Sequence, residues 1–312
     1  MLKRSFLLAG SLLLVASLGA TRPAATPRDR MLVNTAWLAQ HLRDPNLVLL
    51  HVGSPGEYAA MHIPGARFVG LDDISVSEHT ADGLMLEMPA AESLRERLQK
   101  LGISNSSRII VYYGSDWVSP STRVVFTLDY AGLGAQTLLL DGGMPAWIRD
   151  GHKATDQVPA PKTGTLEPLR IKPIVVDAAY VKEHIGKHGV AIVDGRDASF
   201  YDGVQQGNTH GSQQRAGHIA SAHSVPFTEV TADNLLLKSP NDLAALFAKA
   251  GVAPGDTVVG YCHVGQQATA MLFAARSLGH PVLLYDGSFQ EWSRLMPAES
   301  YPVENPSAKT KQ

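Results

Sequence analysis

Short apolar runs separated by amphipathic stretches organise this chain. Residues 48–51, 109–113 and 137–140 in the first half, and 191–193, 257–261 and 282–285 in the second, are brief, dominated by apolar residues and strand-like in length. Between them, 91–101, 123–131, 240–250 and 266–278 place apolar side chains at helical spacing. Strands alternating with helices predict an α/β fold, a mainly parallel sheet with helices on both faces.

The pattern occurs twice. "VLLHVGSPGEYAAMHIPGA" (48–66), "RIIVYYGSD" (108–116) and "LLLDGGMPAW" (138–147) are echoed by "AIVDGRDASFYDG" (191–203) with "AGHIASA" (216–222), "TVVGYCHVG" (257–265) and "LLYDGSFQEW" (283–292), in the same order. The stretch 155–173, rich in Pro, Thr and Gly, reads as a linker. We therefore expect a first domain over 30–154, a second over 174–304 and a tail at 305–312. Trp147 and Trp292, at matching places, are expected in the two cores.

Composition narrows the setting. The 312 residues are 45% hydrophobic and 18% charged, ordinary for a globular chain of about two domains. A formal net charge of -2 supplies no basic field for nucleic acid. Met1-Leu2-Lys3-Arg4, the apolar stretch 6–18 and the small residues around 17–20 read as a secretory signal peptide, so 1–25 is taken as leader and tail. The alternative is an uncleaved membrane anchor. The expected location is periplasmic or secreted, without stable membrane association after the leader is removed.

The chain has one cysteine, Cys262, so no internal disulfide can form. A lone thiol is either an inert core residue or a reactive one. Cys262 follows the run 257–261 and precedes the helical stretch 266–278, which places it just past the carboxyl end of a parallel strand, where such sheets bind ligands. Successive amides in that turn form an anion-binding nest, and the start of the helix adds to it, an environment that favours a thiolate. Gly265 suits a tight loop with positive φ. His263 is the only potentially cationic side chain of the loop; it either assists the thiolate or faces solvent. Arg196, just past 191–193, lies at the same sheet edge; it either presents a planar fork to an oxyanion or pairs with Asp194 or Asp197. Ser288 borders the site or serves as a turn hydroxyl.

These pieces, "HIPGA" and "GHIASA", "VDGRDASFYDG", the strand-Cys-loop-helix segment, and "DGGMPAW" with "DGSFQEW", resemble the rhodanese family of sulfurtransferases in its two-domain form. The resemblance implies two tandem rhodanese-like domains, with the catalytic cysteine in the second. It implies a persulfide cycle on Cys262, with the amides of Val264, Gly265, Gln266, Gln267 and Ala268 holding the anionic sulfur and Arg196 as the substrate-binding arginine. The substrates would be a small anionic sulfur donor and a thiophilic acceptor, with no cofactor or metal; a protein acceptor is a further option. The loop Cys-His-Val-Gly-Gln-Gln is neither the Cys-Arg-Lys-Gly of well-known thiosulfate enzymes nor the Cys-Gly-Ser-Gly of mercaptopyruvate enzymes. Thiosulfate is the first expectation through Arg196; 3-mercaptopyruvate, and a non-enzymatic persulfide carrier, are the alternatives. A cysteine phosphatase would need an arginine closing the loop, which "QQAT" does not supply.

The first domain lacks cysteine. Tyr113 or Gly114 takes the catalytic position, and the domain is expected to cover the second domain's site, with Trp117 or the neighbours of Asp116 reaching across. The polar insertion 204–215, "VQQGNTHGSQQR", is either a lid or a solvated loop. His184 and His188 share a helical face without a third ligand nearby, so we expect a surface pair there.

Overall fold

The structure is a computed structural model and describes residues 25–115, 118–209 and 211–309. The expected leader lies outside the described residues, apart from Ala25, and so do Asp116 and Trp117.

The first domain contains strands β1 (Leu32–Val33), β2 (Leu47–Val52), β3 (Arg67–Val69), β4 (Arg108–Tyr113) and β5 (Thr137–Leu140). All pair in parallel, in the order β1-β5-β4-β2-β3. Helices α1 (Thr35–His41), α2 (Pro55–Ala60), α3 (Ala91–Lys100), α4 (Ser119–Tyr130) and α5 (Gly143–Arg149) cover it. The second domain repeats the plan. Its strands are β6 (Val175–Val176), β7 (Val190–Asp194), the hairpin β8 (Asn208–Thr209) and β9 (Ser212–Gln213), β10 (His218–Ile219), β11 (His223–Ser224), β12 (Thr257–Tyr261), β13 (Val282–Tyr285) and β14 (Val303–Glu304). Its helices are α6 (Ala178–Glu183), α7 (Ala198–Tyr201), α8 (Pro240–Lys249), α9 (Gln267–Ser277) and α10 (Ser288–Arg294), and a short α11 (Pro306–Lys309) follows in the expected tail. The parallel sheet β6-β13-β12-β7-β11 has the same order as the first, strand for strand.

Local chemistry sets these boundaries. Ser54 caps α2, accepting from the Glu57 amide while the Glu57 carboxylate accepts from the Ser54 amide, and Pro55 starts the helix with φ already suitable. Helices α3 and α8 each bury one stripe, Leu94 with Leu98 and Leu243 with Phe247, at i and i+4. Helices α4 and α9 differ, being buried nearly all round, because they pack on each other between the domains. Their contact joins the inner faces of both sheets into one continuous apolar cluster. Trp147 and Trp292 are buried in the outer-face clusters, each donating its indole N–H to a backbone oxygen, of Lys153 and Pro302.

The stretch 155–173 is not a free tether. Thr155 bridges to His62, and the chain around 164–167 is hydrogen-bonded to Gln99 and Asn105 of the first domain. Among the described residues no helix is long and apolar enough to cross a membrane.

Candidate active site

Cys262 sits directly after β12, and its loop hangs on the start of α10. The carbonyl oxygens of Cys262 and His263 accept from the amides of Phe289 and Gln290, both at 3.0 Å. The Cys262 amide donates to Ser288 Oγ at 3.3 Å, and that hydroxyl donates to the Tyr285 carbonyl at 2.9 Å. Ser288 therefore fixes the loop, as a buried hydroxyl at a positive φ of 51°. Gly265 has φ 79°, and a Cβ there would lie 3.0 Å from both the Arg123 guanidinium and the Asp286 carbonyl. Conformation and space both require glycine at this point.

With its carbonyls turned away, the loop turns its amides inward. The sulfur is fully buried, and burial pushes the Cys262 thiol up in pKa. Four backbone N–H groups, of Ala268, Val264, Gln267 and Gly265, lie around the sulfur and pull the other way. Burial wins at rest, so the thiol is neutral in the closed site. The same four donors stabilise negative charge arriving on or beside the sulfur, without reorganisation.

The structure places Arg196 beside the catalytic loop as half of a buried ion pair. This side chain is 1% exposed, and its fork is held by Asp194, through Nε at 3.0 and 3.1 Å and Nη2 at 2.6 Å, with a further bond to the Gly217 carbonyl at 2.7 Å. Its guanidinium also lies 4.0 Å from the Phe289 ring centre. Burial lowers its pKa and the Asp194 carboxylate more than offsets this, so it stays charged. This pairing, the one weighed as the alternative, locks the end of β7 beside the loop.

At His263, burial and then the nearby Arg196 charge lower the pKa to about 4, which favours the neutral ring. Its Nδ1 lies 3.3 Å from Gln214 Oε1, and its ring meets Phe200 edge-on at 4.6 Å. Gln214 belongs to the insertion 204–215. Its side chain is buried and bonded to Thr209, its amide closes on the Gly207 carbonyl, and Arg215 anchors the segment to the Ser293 and Tyr301 carbonyls. The insertion thus folds as a hairpin that sets Gln214 against the catalytic loop, while Val204, Gln205, Gln206, Asn208, Gly211 and Gln213 stay exposed.

The first domain contributes more than expected. Arg123 of α4, fully buried, donates to the Gly265 carbonyl at 3.1 Å and pairs with Asp286 at 2.7 Å. Gln266 donates to Ser119 Oγ at 3.1 Å, and Thr122 and Thr269 bond at 3.0 Å. Nothing in the sequence marked Arg123, which lies within an apolar helix. Strand pairing also settles the catalytic position of the first domain. Tyr112 pairs with His51 as Tyr261 pairs with Asp194, so Tyr113, the next residue, matches Cys262, and Gly114 matches His263. The Tyr113 hydroxyl donates across the interface to the Leu235 carbonyl at 2.8 Å.

Two copies of one sheet, with a cysteine cradled by amides in the second and a tyrosine in its place in the first, define a tandem α/β architecture with one cysteine site. The Rhodanese-like domain model matches residues 34–150 and 177–295, and the chain belongs to the rhodanese family. It is 30% identical over 294 residues to the thiosulfate sulfurtransferase of Rattus norvegicus, covering 90% of this chain and 97% of that one. It is 30% identical to the sulfur carrier protein TtuD of Thermus thermophilus, covering 85% and 94%. Among solved structures it is similar to the 3-mercaptopyruvate sulfotransferase SseA of Escherichia coli, with 26% identity and a TM-score of 0.70 over 82% of this chain and 98% of that one.

Proposed function

We propose that this protein is a sulfurtransferase that moves sulfane sulfur from thiosulfate to a thiophilic acceptor through a persulfide on Cys262. The observation that carries the reading is the convergence of four backbone amides on one buried sulfur at the carboxyl edge of the second sheet. The Cys262 thiol gives its proton to solvent, and the thiolate attacks the outer sulfur of thiosulfate; the sulfur–sulfur bond of the donor breaks and sulfite leaves with the electron pair. An acceptor such as cyanide then attacks the outer sulfur of the persulfide, takes it as thiocyanate, and leaves the thiolate. No resolving cysteine is needed, because each step exchanges one nucleophile for another at the same sulfur.

The names of the relatives support sulfur transfer, and the loop residues leave the donor open between thiosulfate and 3-mercaptopyruvate. With Arg196 held by Asp194, an anionic donor is received by the amide cradle and the half-buried rim of His263, Val264, Gln266 and Gln267. The carrier reading has its own support in the likeness to a sulfur carrier protein. We place the protein outside the cytoplasm on the strength of Lys3-Arg4 followed by the apolar stretch 6–18; fractionation of the native host checks this.

The test is steady-state sulfur transfer to cyanide with thiosulfate and 3-mercaptopyruvate as parallel donors. Turnover with thiosulfate that is lost in Cys262→Ser supports the enzyme. Absence of turnover with both donors, in a protein that still accepts sulfur from a protein persulfide, replaces it by the carrier.

A further inference from the structure

The repeat makes it possible to ask what the first domain holds where the second holds its buried arginine. "HVGSPGEY" (51–58) and "DGRDASFY" (194–201) correspond without a gap. Shared bonds confirm the match. Tyr58 and Tyr201 donate to the carbonyls of Ala66 and Ala222, His62 and His218 stack on those tyrosines, and the hydroxyls of Tyr112 and Tyr261 accept from the amides of Ile63 and Ile219. His51 therefore replaces Asp194, Gly53 replaces Arg196, Glu57 replaces Phe200, and Met144 replaces the Phe289 on which the guanidinium lies.

Losing the arginine leaves a space. A cavity of about 390 Å³ opens there, floored by His51, Glu57 and Gly114 and walled by Met61, Met144 and Ile148. Among the described residues, Met61 and Ile148 are two of the few large apolar side chains that are exposed, and both stand at this cavity. His51 is fully buried, and among the described residues its Nε2 has no hydrogen-bond partner. An unpaired buried polar atom is destabilising and calls for a partner. The points where a Cβ would sit on Gly53 and on Gly114 lie 3.0 and 3.3 Å from His51 Nε2 and 3.2 and 3.3 Å from Glu57 Oε2. Imidazole and carboxylate thus face one common space that two glycines leave open.

The polarity of the floor follows from proton accounting. The Tyr112 hydroxyl already accepts from the Ile63 amide, and its remaining partner is His51 Nδ1 at 3.0 Å. The hydroxyl proton goes to Nδ1, as that of Tyr261 goes to Asp194 in the second domain, so Nε2 carries a hydrogen and is a donor. Burial, then neighbouring His62, lower the His51 pKa to about 4, so the ring is neutral. The Ser54 amide holds the Glu57 carboxyl below the usual range, so it is an anionic acceptor.

We propose that the first domain carries a second ligand site in this vacated arginine position, built for a small neutral molecule with an apolar body and a head that both accepts and donates, of which a primary carboxamide is the simplest. The carbonyl accepts from His51 Nε2, the amide N–H₂ donates to Glu57, and the body lies against Met61, Met144 and Ile148. Glu57 disfavours anions, so the site does not compete for the sulfur donor. The His51 N–H disfavours an ammonium, which has no acceptor to offer it.

The site is tested by methyl NMR of the full chain labelled at its methionine methyls, of which Met61 and Met144 line the cavity. Isovaleramide is titrated against isovalerate and isoamylamine, which share its body. The expected result is a saturable shift of the Met61 and Met144 methyls with the amide, and binding at least about tenfold weaker for the acid and the amine, as one unpaired polar group predicts. Gly114→Ala puts a methyl into the common space at a φ outside the left-handed region, and is expected to weaken amide binding at least about tenfold with sulfur transfer unchanged. No saturable shift, equal binding of all three probes, or an unaffected Gly114→Ala each overturns the proposal.

Discussion

At the scale of single residues, the site is governed by which polar groups face the sulfur and which are already paired. Because burial outweighs the four amides at the resting thiol, the rate of persulfide formation is expected to rise with pH without a plateau below pH 9; stopped-flow sulfite release across pH checks this, and a plateau near neutrality contradicts it. Arg196→Ala removes the partner of a buried carboxylate. It is expected to cost about 3–5 kcal/mol of stability, read by denaturant unfolding, while the donor KM of the folded fraction changes little. The site was only partly legible for the same reason. Cys262 and Gly265 could be placed from the order strand, loop, helix. Arg196 could not be assigned, since an arginine two residues from an aspartate reads equally as a fork for a ligand and as half of an ion pair. His263 looked chargeable because sequence does not show that Phe200 and Gln214 would bury it.

At the scale of elements, the core strands were readable to within a residue or so, because strands covered on both faces carry unbroken apolar runs. The edge strands β1, β3, β6 and β11 were not, since two or three residues show no period. Helix α4 begins at Ser119, four residues before its apolar pattern suggested, because Ser119 and Thr122 face α9 rather than water. The insertion hairpin is the element with the clearest functional consequence. It holds Gln214 on His263 and helps close the loop. Deleting 205–214 and joining the ends with a short Gly-Ser link is expected to speed alkylation of Cys262 by at least about tenfold, since local opening limits access to a buried thiol. The His263 pKa, followed by NMR, should rise from about 4 toward 6.5 in the same variant. An unchanged alkylation rate would show that access does not pass beneath the hairpin.

Across the whole molecule, the domain without a cysteine acts as half of the catalytic wall. Arg123 bonds the catalytic loop and Asp286 at once, and the amides of Met85 and Met88 reach Gln290 and Asp286 at the start of α10. Protonation links stability to this arrangement in two windows. His51 and His263 have folded pKa values depressed from 6.5 to about 4, so their contribution is present above pH 6.5 and lost as pH falls toward 4. Glu87, at the domain boundary, is pushed up to about 8 by burial and by Asp286, so its contribution is present below pH 4.5 and lost as pH rises to about 8. Glu87→Gln is therefore expected to match the parent near pH 4.5 and to be increasingly more stable toward pH 8, as chemical denaturation at a series of pH values will show.

The most direct test of the central claim is intact-protein and peptide mass spectrometry after exposure to thiosulfate, with sulfite measured in parallel. The account predicts one added sulfur on the peptide that contains Cys262, one sulfite released per sulfur bound, and loss of that sulfur as thiocyanate when cyanide is added. Sulfur transfer that proceeds with Cys262 unmodified, or that survives in Cys262→Ser, would contradict it.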